Sequence, residues 1–199
     1  MYELLKGGWM MIPLALCSIA AVAVIIERYL YFRRIGAGDG PDKVLGLVGE
    51  GRLEEALEIA QSSSLPTMKI LAAGIGQQHN PTKAMEAEGI AELADLKGGL
   101  PILDTIVTLS PLLGLLGTIL GMISSFKIMS FSEIGQPHAV TGGVAEALIA
   151  TATGITVAVL ALIPYNYFYR RVEREVEIIE HYACRLELAL GAKTGRPAQ

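Results

Sequence analysis

The chain has 199 residues, 52% of them hydrophobic and 18% charged, with a formal net charge of −4. That apolar share exceeds what a soluble domain needs for its core and makes lipid the solvent for much of the chain. The negative charge excludes the basic footprint of a nucleic-acid binder. The distant cysteines Cys17 and Cys184 and the scattered His79, His138 and His181 suggest neither a disulfide frame nor a metal cluster.

Residues 1–8 read as a short segment outside the membrane. The uncharged run Trp9 to Ile26 then covers roughly 27 Å as a helix, enough with its flanks for a bilayer core of about 30 Å. The first span is placed at 9–32, with Trp9 at one interface and Tyr29, Tyr31 and Phe32 at the other. A cleaved signal peptide is disfavoured because Arg28, Arg33 and Arg34 follow the apolar run and only Lys6 precedes it.

Residues 33–104 form a helical insert. It opens on a turn-rich stretch, Gly36-Ala37-Gly38-Asp39-Gly40-Pro41. The spacing predicts helices at Asp42–Val48, Leu53–Gln61, Met68–Gln77 and Thr82–Gly98. Gly51, the Ser62-to-Pro66 stretch and Asn80-Pro81 separate them, and Pro66 suits a helix start. Pro101 is expected to kink one continuous helix running from the insert into the membrane.

The second and third spans are placed at 105–126 and 144–168, with Glu146 their only charged residue. The loop between them, 127–143, holds a single basic residue, whereas Arg170, Arg171 and Arg174 follow the third span. By the positive-inside rule the N-terminus and this loop lie outside, and the 33–104 insert and the C-terminus lie in the cytoplasm. Val172, Val176, Ile179, Ala183, Leu186 and Leu190 make a helical stripe, so a cytoplasmic helix at 169–190 continues the third span. The stripe suits packing on the insert or on a neighbouring subunit. Residues 191–199 are expected to be a disordered tail. The fold class is an all-α membrane protein with three transmembrane helices, the second and third long and reaching into a helical cytoplasmic region.

Small residues line one face of each long span: Ser110, Gly114, Gly117, Thr118, Gly121 and Ser125 on the second, and Ala147, Ala150, Thr151, Gly154, Ala158 and Ala161 on the third. Such stripes let helix backbones approach closely, so tight packing accounts for the glycines and alanines. Thr118, Thr151, Thr153 and Thr156 can each bond a carbonyl one turn back. Thr118 and Thr151 share the small faces, however, and would offer hydroxyls to any cavity there. Glu146 has two open readings: an interfacial residue favoured by a helix N-terminus, or a group at the outer mouth of an ion path. No Asp, Lys, His or Arg lies deep in a span. A proton relay would therefore need a titratable group from another chain. No Ser/His, paired-Asp or Cys/His set occurs at membrane depth and no phosphate-binding loop is present, so no enzyme is expected and no cofactor or metal.

Two stretches carry a family resemblance: Leu109-Ser110-Pro111-Leu112-Leu113-Gly114-Leu115-Leu116-Gly117-Thr118-Ile119-Leu120-Gly121-Met122, and Val144-Ala145-Glu146-Ala147-Leu148-Ile149-Ala150-Thr151-Ala152-Thr153-Gly154. With a first span ending in Glu27-Arg28, the chain resembles the MotA/TolQ/ExbB proton-channel family, and three spans fit its ExbB and TolQ branches. The resemblance implies a homopentamer in the bacterial inner membrane, N-terminus periplasmic, around an ExbD-like single-span partner whose membrane Asp supplies the missing titratable group. It implies coupling of the proton motive force to a TonB-like protein and outer-membrane transport, or in the TolQ branch to the Tol-Pal envelope system. It also places Thr118 and Thr151 opposite the partner aspartate, and matches Glu146 to a family glutamate on the proton pathway that helps admit protons or holds the pore. A membrane scaffold that conducts nothing is the reading from another class. Where the family usually has a proline about five residues before a Tyr-Asn pair, this chain has Leu160, and Pro164 directly precedes Tyr165-Asn166. A kink there would be displaced by about one turn.

Overall fold

The computed structural model describes residues 8–35, 40–131 and 137–194, and all its regular structure is helical. Among the described residues seven helices follow one another: α1 (Met11–Arg34), α2 (Gly40–Glu50), α3 (Leu53–Gln61), α4 (Pro66–Gly76), α5 (Pro81–Lys97), α6 (Leu100–Phe131) and α7 (Pro137–Thr194). Three of them, α1, α6 and α7, contain stretches long and apolar enough to cross a membrane. The chain divides into two units, one of residues 1–28 and 99–168, the other of residues 29–98 and 169–199.

In the first unit α6 and α7 pack antiparallel through their small faces. The register follows from the glycines. A Cβ added at Gly154 would stand 2.5 Å from the Ser110 carbonyl oxygen, at Gly114 3.0 Å from Thr151 Cα, at Gly117 2.7 Å from Ala150 Cβ, and at Gly121 2.8 Å from Ala147 Cβ. Ala147, Ala150, Ala158 and Ala161 are buried with them, as are Ser110 and Ser125. Lipid tails provide no hydrophobic drive between helices, so this close backbone approach is the source of the contact energy. The opposite faces are apolar and exposed: Ile12, Leu16 and Ile19 on α1, Leu112, Ile119 and Ile123 on α6, and Leu148, Ile155 and Ile163 on α7. Apolar surface on this scale belongs against lipid or another membrane helix.

The second unit has its own apolar core. Val44, Leu45 and Val48 of α2, Ala56 and Ala60 of α3, Met68, Ile70, Leu71 and Ile75 of α4 and Met85 of α5 form one cluster with Leu186 and Leu190 of α7. Ile179 and Ala183 pack against it, so this end of the predicted stripe does dock on the insert. Polar contacts fix the same seam. Tyr182 Oη and Arg185 Nη1 donate to the two oxygens of Asp42, at 2.7 and 2.8 Å, and Thr82 Oγ1 donates to Glu187 at 2.7 Å. The Tyr182 bond first, and Arg185 next, hold the Asp42 carboxyl below its usual pKa. Lys69 Nζ donates to the buried Glu92 carboxylate at 2.6 Å, and this bond raises the Lys69 pKa.

Several boundaries differ from the sequence expectation. Pro101 does not kink a continuous helix. It is the second residue of α6, where its missing N–H would have no helical partner in any case. The break falls at Gly98-Gly99, where Gly99 takes a φ of 72°. Gly51, with a φ of 91°, separates α2 from α3 as expected. Much of 127–143 is helical, because α6 runs to Phe131 and α7 starts at Pro137. Gly40 and Pro41 open α2 rather than close a turn. α7 stays helical through Pro164 and ends at Thr194, past the expected start of the tail. The rest of that tail, the turn residues 36–39, residues 132–136 and residues 1–7 lie outside the described residues.

Candidate functional site

The hydroxyls of the membrane helices have separate fates. Thr153 Oγ1 donates to the Ile149 carbonyl and Thr156 Oγ1 to Ala152, each one turn back on α7. Thr118 Oγ1 likewise donates to the Leu115 carbonyl at 2.6 Å. Thr151 is different. Its Oγ1 donates across the helix pair to the Gly114 carbonyl at 2.9 Å. Because Gly114 has no side chain, the α6 backbone comes within reach of that hydroxyl. The two hydroxyls nevertheless stand at nearly the same level of the antiparallel pair, since their acceptors are the carbonyls of adjacent residues, Leu115 and Gly114. Both threonines are half-buried. Each hydroxyl has committed its proton to a backbone carbonyl and keeps lone pairs for a further donor.

Of the small residues singled out in the sequence, Gly114, Gly117, Gly121, Ala147 and Gly154 are in the α6–α7 seam itself, and Ala158 is buried one turn beyond Gly154. Ser110, in the same seam, is fully buried, and its Oγ lacks a hydrogen-bond partner. Its carbonyl oxygen faces Gly154.

Glu146 stands about two and a half turns inside α7, not at the helix start. The dipole effect fades within the first turn, so the helix N-terminus does not explain this carboxylate. Its side chain lies instead against the backbone of Gly8. It lines a pocket of about 330 Å³ with Ser124, Ser125, Gly121 and the Gly8–Met10 turn. Ser125 Oγ donates back to the Gly121 carbonyl at 2.9 Å. Glu146 and the Thr118–Thr151 level thus lie on one antiparallel pair, with Gly121 about one turn from Thr118 on α6 and Glu146 nearly one and a half turns from Thr151 on α7. The reading of the sequence missed the Gly8 turn and Ser124. The adjacent pairs Gly7-Gly8 and Ser124-Ser125 were the available signals. Among the described residues no group of His, Cys, Asp and Glu side chains is arranged to hold a metal ion.

The model of the MotA/TolQ/ExbB proton channel family matches residues 56–181, which include α6 and the membrane part of α7. The chain belongs to this family. It is similar to the putative biopolymer transport protein ExbB-like 3 of Synechocystis sp., with 36% identity over 192 residues, 92% of this chain and 91% of the relative. ExbB-like 1 of the same organism is 34% identical over 197 residues, 94% of this chain and 77% of the relative. The Tol-Pal system protein TolQ of Pseudomonas aeruginosa is 30% identical over 148 residues, 74% of this chain and 61% of the relative. The MotA/TolQ/ExbB match and the three apolar helices together make this a membrane-embedded proton-channel family member, with relatives named for both its ExbB and its TolQ branches.

Proposed function

We propose that the chain is an ExbB-type motor subunit whose α6 and α7 form the wall of a proton path, with the titratable carboxyl group borrowed from a single-span partner. The observation that carries the reading is the pair Thr118 and Thr151. Two hydroxyls of half-buried threonines sit at nearly one level of two apolar helices, and among the described residues of α6 and α7 no acidic side chain lies at that level. With their protons given to the Leu115 and Gly114 carbonyls, both hydroxyls can accept but not donate. They suit a protonated carboxylic acid, which has an O–H to give, better than a carboxylate. A partner Asp would therefore be held neutral at this level and would ionise on leaving it. That difference between two stations is what a rotary or gated proton transfer needs.

In this reading Glu146 stands on the outer side of the same path. The chain sits in the bacterial inner membrane with its N-terminus in the periplasm and its C-terminus in the cytoplasm. Five copies surround an ExbD-like partner, and the work passes to a TonB-like protein. The ExbB-like names of the two Synechocystis relatives, aligned over nearly the whole chain, favour that branch. The similarity to a Tol-Pal system protein supports a second reading, a TolQ-type subunit of an envelope system. The two separate on the partner that co-purifies, ExbD-like or TolR-like.

The test is Thr151→Val, which keeps the shape and removes the hydroxyl. The complex with its partner is reconstituted in liposomes and proton flux is read with a pH-sensitive dye. The substitution is expected to abolish flux while native mass spectrometry shows the oligomer intact. Undiminished flux would remove Thr151 from the mechanism. An intact oligomer of the natural complex with no flux at all would favour the scaffold reading.

A further inference from the structure

The half-buried Glu146 side chain lies against the chain's own Gly8–Met10 turn. Gly8 has a φ of 69°, in the left-handed region that side-chain-bearing residues avoid. A Cβ built on it would overlap Glu146 Oε1 and stand 3.0 Å from Glu146 Cδ. Gly8 is thus required twice, once for its backbone angle and once for the space that the carboxylate fills. The turn is tied to α1 by its own hydrogen bonds: Met11 N–H donates to the Gly8 carbonyl at 3.1 Å and Ile12 N–H to the Trp9 carbonyl at 3.2 Å. Met10 anchors it on α6, where a Cβ at Gly117 would meet Met10 Cβ at 3.4 Å. Gly8, Trp9 and Met10 make one wall of the pocket that holds Glu146, Ser124 and Ser125.

We infer that the Gly8–Met10 turn is a positioning cover for Glu146. It presses the carboxylate into the pocket beside the two serines and shields it from open water, so that protons reach Glu146 by way of the pocket. Gly8 and Met10 are positioning residues that act through Glu146. The inference rests on the proton-path reading given above.

The full-length chain in detergent is treated with a water-soluble carbodiimide and glycine ethyl ester. Modification of Glu146 is measured by peptide mass spectrometry against Glu54, which is exposed on α3. Gly8→Ala should raise the Glu146 to Glu54 ratio severalfold, because the added methyl displaces the carboxylate from its seat. Met10→Ala, which alters no backbone angle, should raise it too and keeps the test open if Gly8→Ala does not fold. An unchanged ratio in the folded variants overturns the cover. Flux through the reconstituted complex is then compared. Gly8→Ala should lower it severalfold, and Gly8→Ala with Glu146→Asp should recover part of the loss, since the shorter carboxylate clears the new methyl. Raised labelling with undiminished flux also overturns the positioning role. A natural complex that conducts nothing, with the labelling shift intact, sinks the proton-path reading and leaves the cover standing as a structural contact.

Discussion

Ser110 Oγ is the buried side-chain polar atom that the α6–α7 seam leaves without a hydrogen bond. An unsatisfied buried hydroxyl costs about 1–3 kcal/mol. Ser110→Ala should therefore raise the thermal unfolding temperature of the purified chain in detergent, or at the least not lower it. A clear fall would show that the hydroxyl has a partner in the folded protein. Thr151 is the opposite case. Its hydroxyl joins two helices through the Gly114 carbonyl, and such a bond in a membrane is worth about 0.6 kcal/mol on average. Loss of that much leaves the helix pair folded, so the Thr151→Val flux test reads the mechanism and not assembly. Thr118 and Thr151 were legible in the sequence because both lie on small-residue stripes. Their different bonds were not. Whether a threonine turns back on its own helix or reaches across depends on how close the facing backbone comes, and here Gly114 decides that from 37 residues away.

At the scale of the elements, glycine does two different jobs. In α7, Gly154 faces the Ser110 carbonyl, a backbone atom that cannot move aside as a flexible side chain would. Gly154→Ala should push α6 and α7 apart at a cost of roughly 1–3 kcal/mol. In α2, Gly46 is exposed and a Cβ there would meet nothing within 4 Å. Gly46→Ala should stabilise that helix by about 0.5–1 kcal/mol. Thermal unfolding of the two variants in the same detergent checks both signs. The bounds of α3 match the sequence reading because Gly51 and the serines after Gln61 punctuate it chemically. The 127–143 segment was misread because hydropathy reports the solvent of a segment and not its backbone. Polar residues there mark departure from lipid while the helices go on to Phe131 and resume at Pro137. Pro101 was misread for a related reason, since proline near a helix start is indistinguishable in sequence from proline at a kink. α7 itself has 58 residues, roughly 87 Å at 1.5 Å per residue, against about 30 Å of bilayer core. One helix thus carries both the Thr151 level and the Leu186 and Leu190 contacts of the second unit's core.

For the whole molecule, an all-α membrane class was readable from composition and three long apolar runs, because lipid forces backbone hydrogen bonds inside each segment. The Gly8 to Glu146 contact was not readable, because it joins residues 138 apart through tertiary packing and neither residue carries a periodic signal. The described part of the membrane helices holds acceptor hydroxyls at depth and no acidic side chain at their level. Proton flux into liposomes containing the chain alone, against liposomes containing the chain with its single-span partner, tests this most directly. No flux above protein-free liposomes is expected for the chain alone, and a clear flux is expected with the proposed partner, lost when that partner's membrane Asp becomes Asn. Proton flux through the chain alone would contradict this.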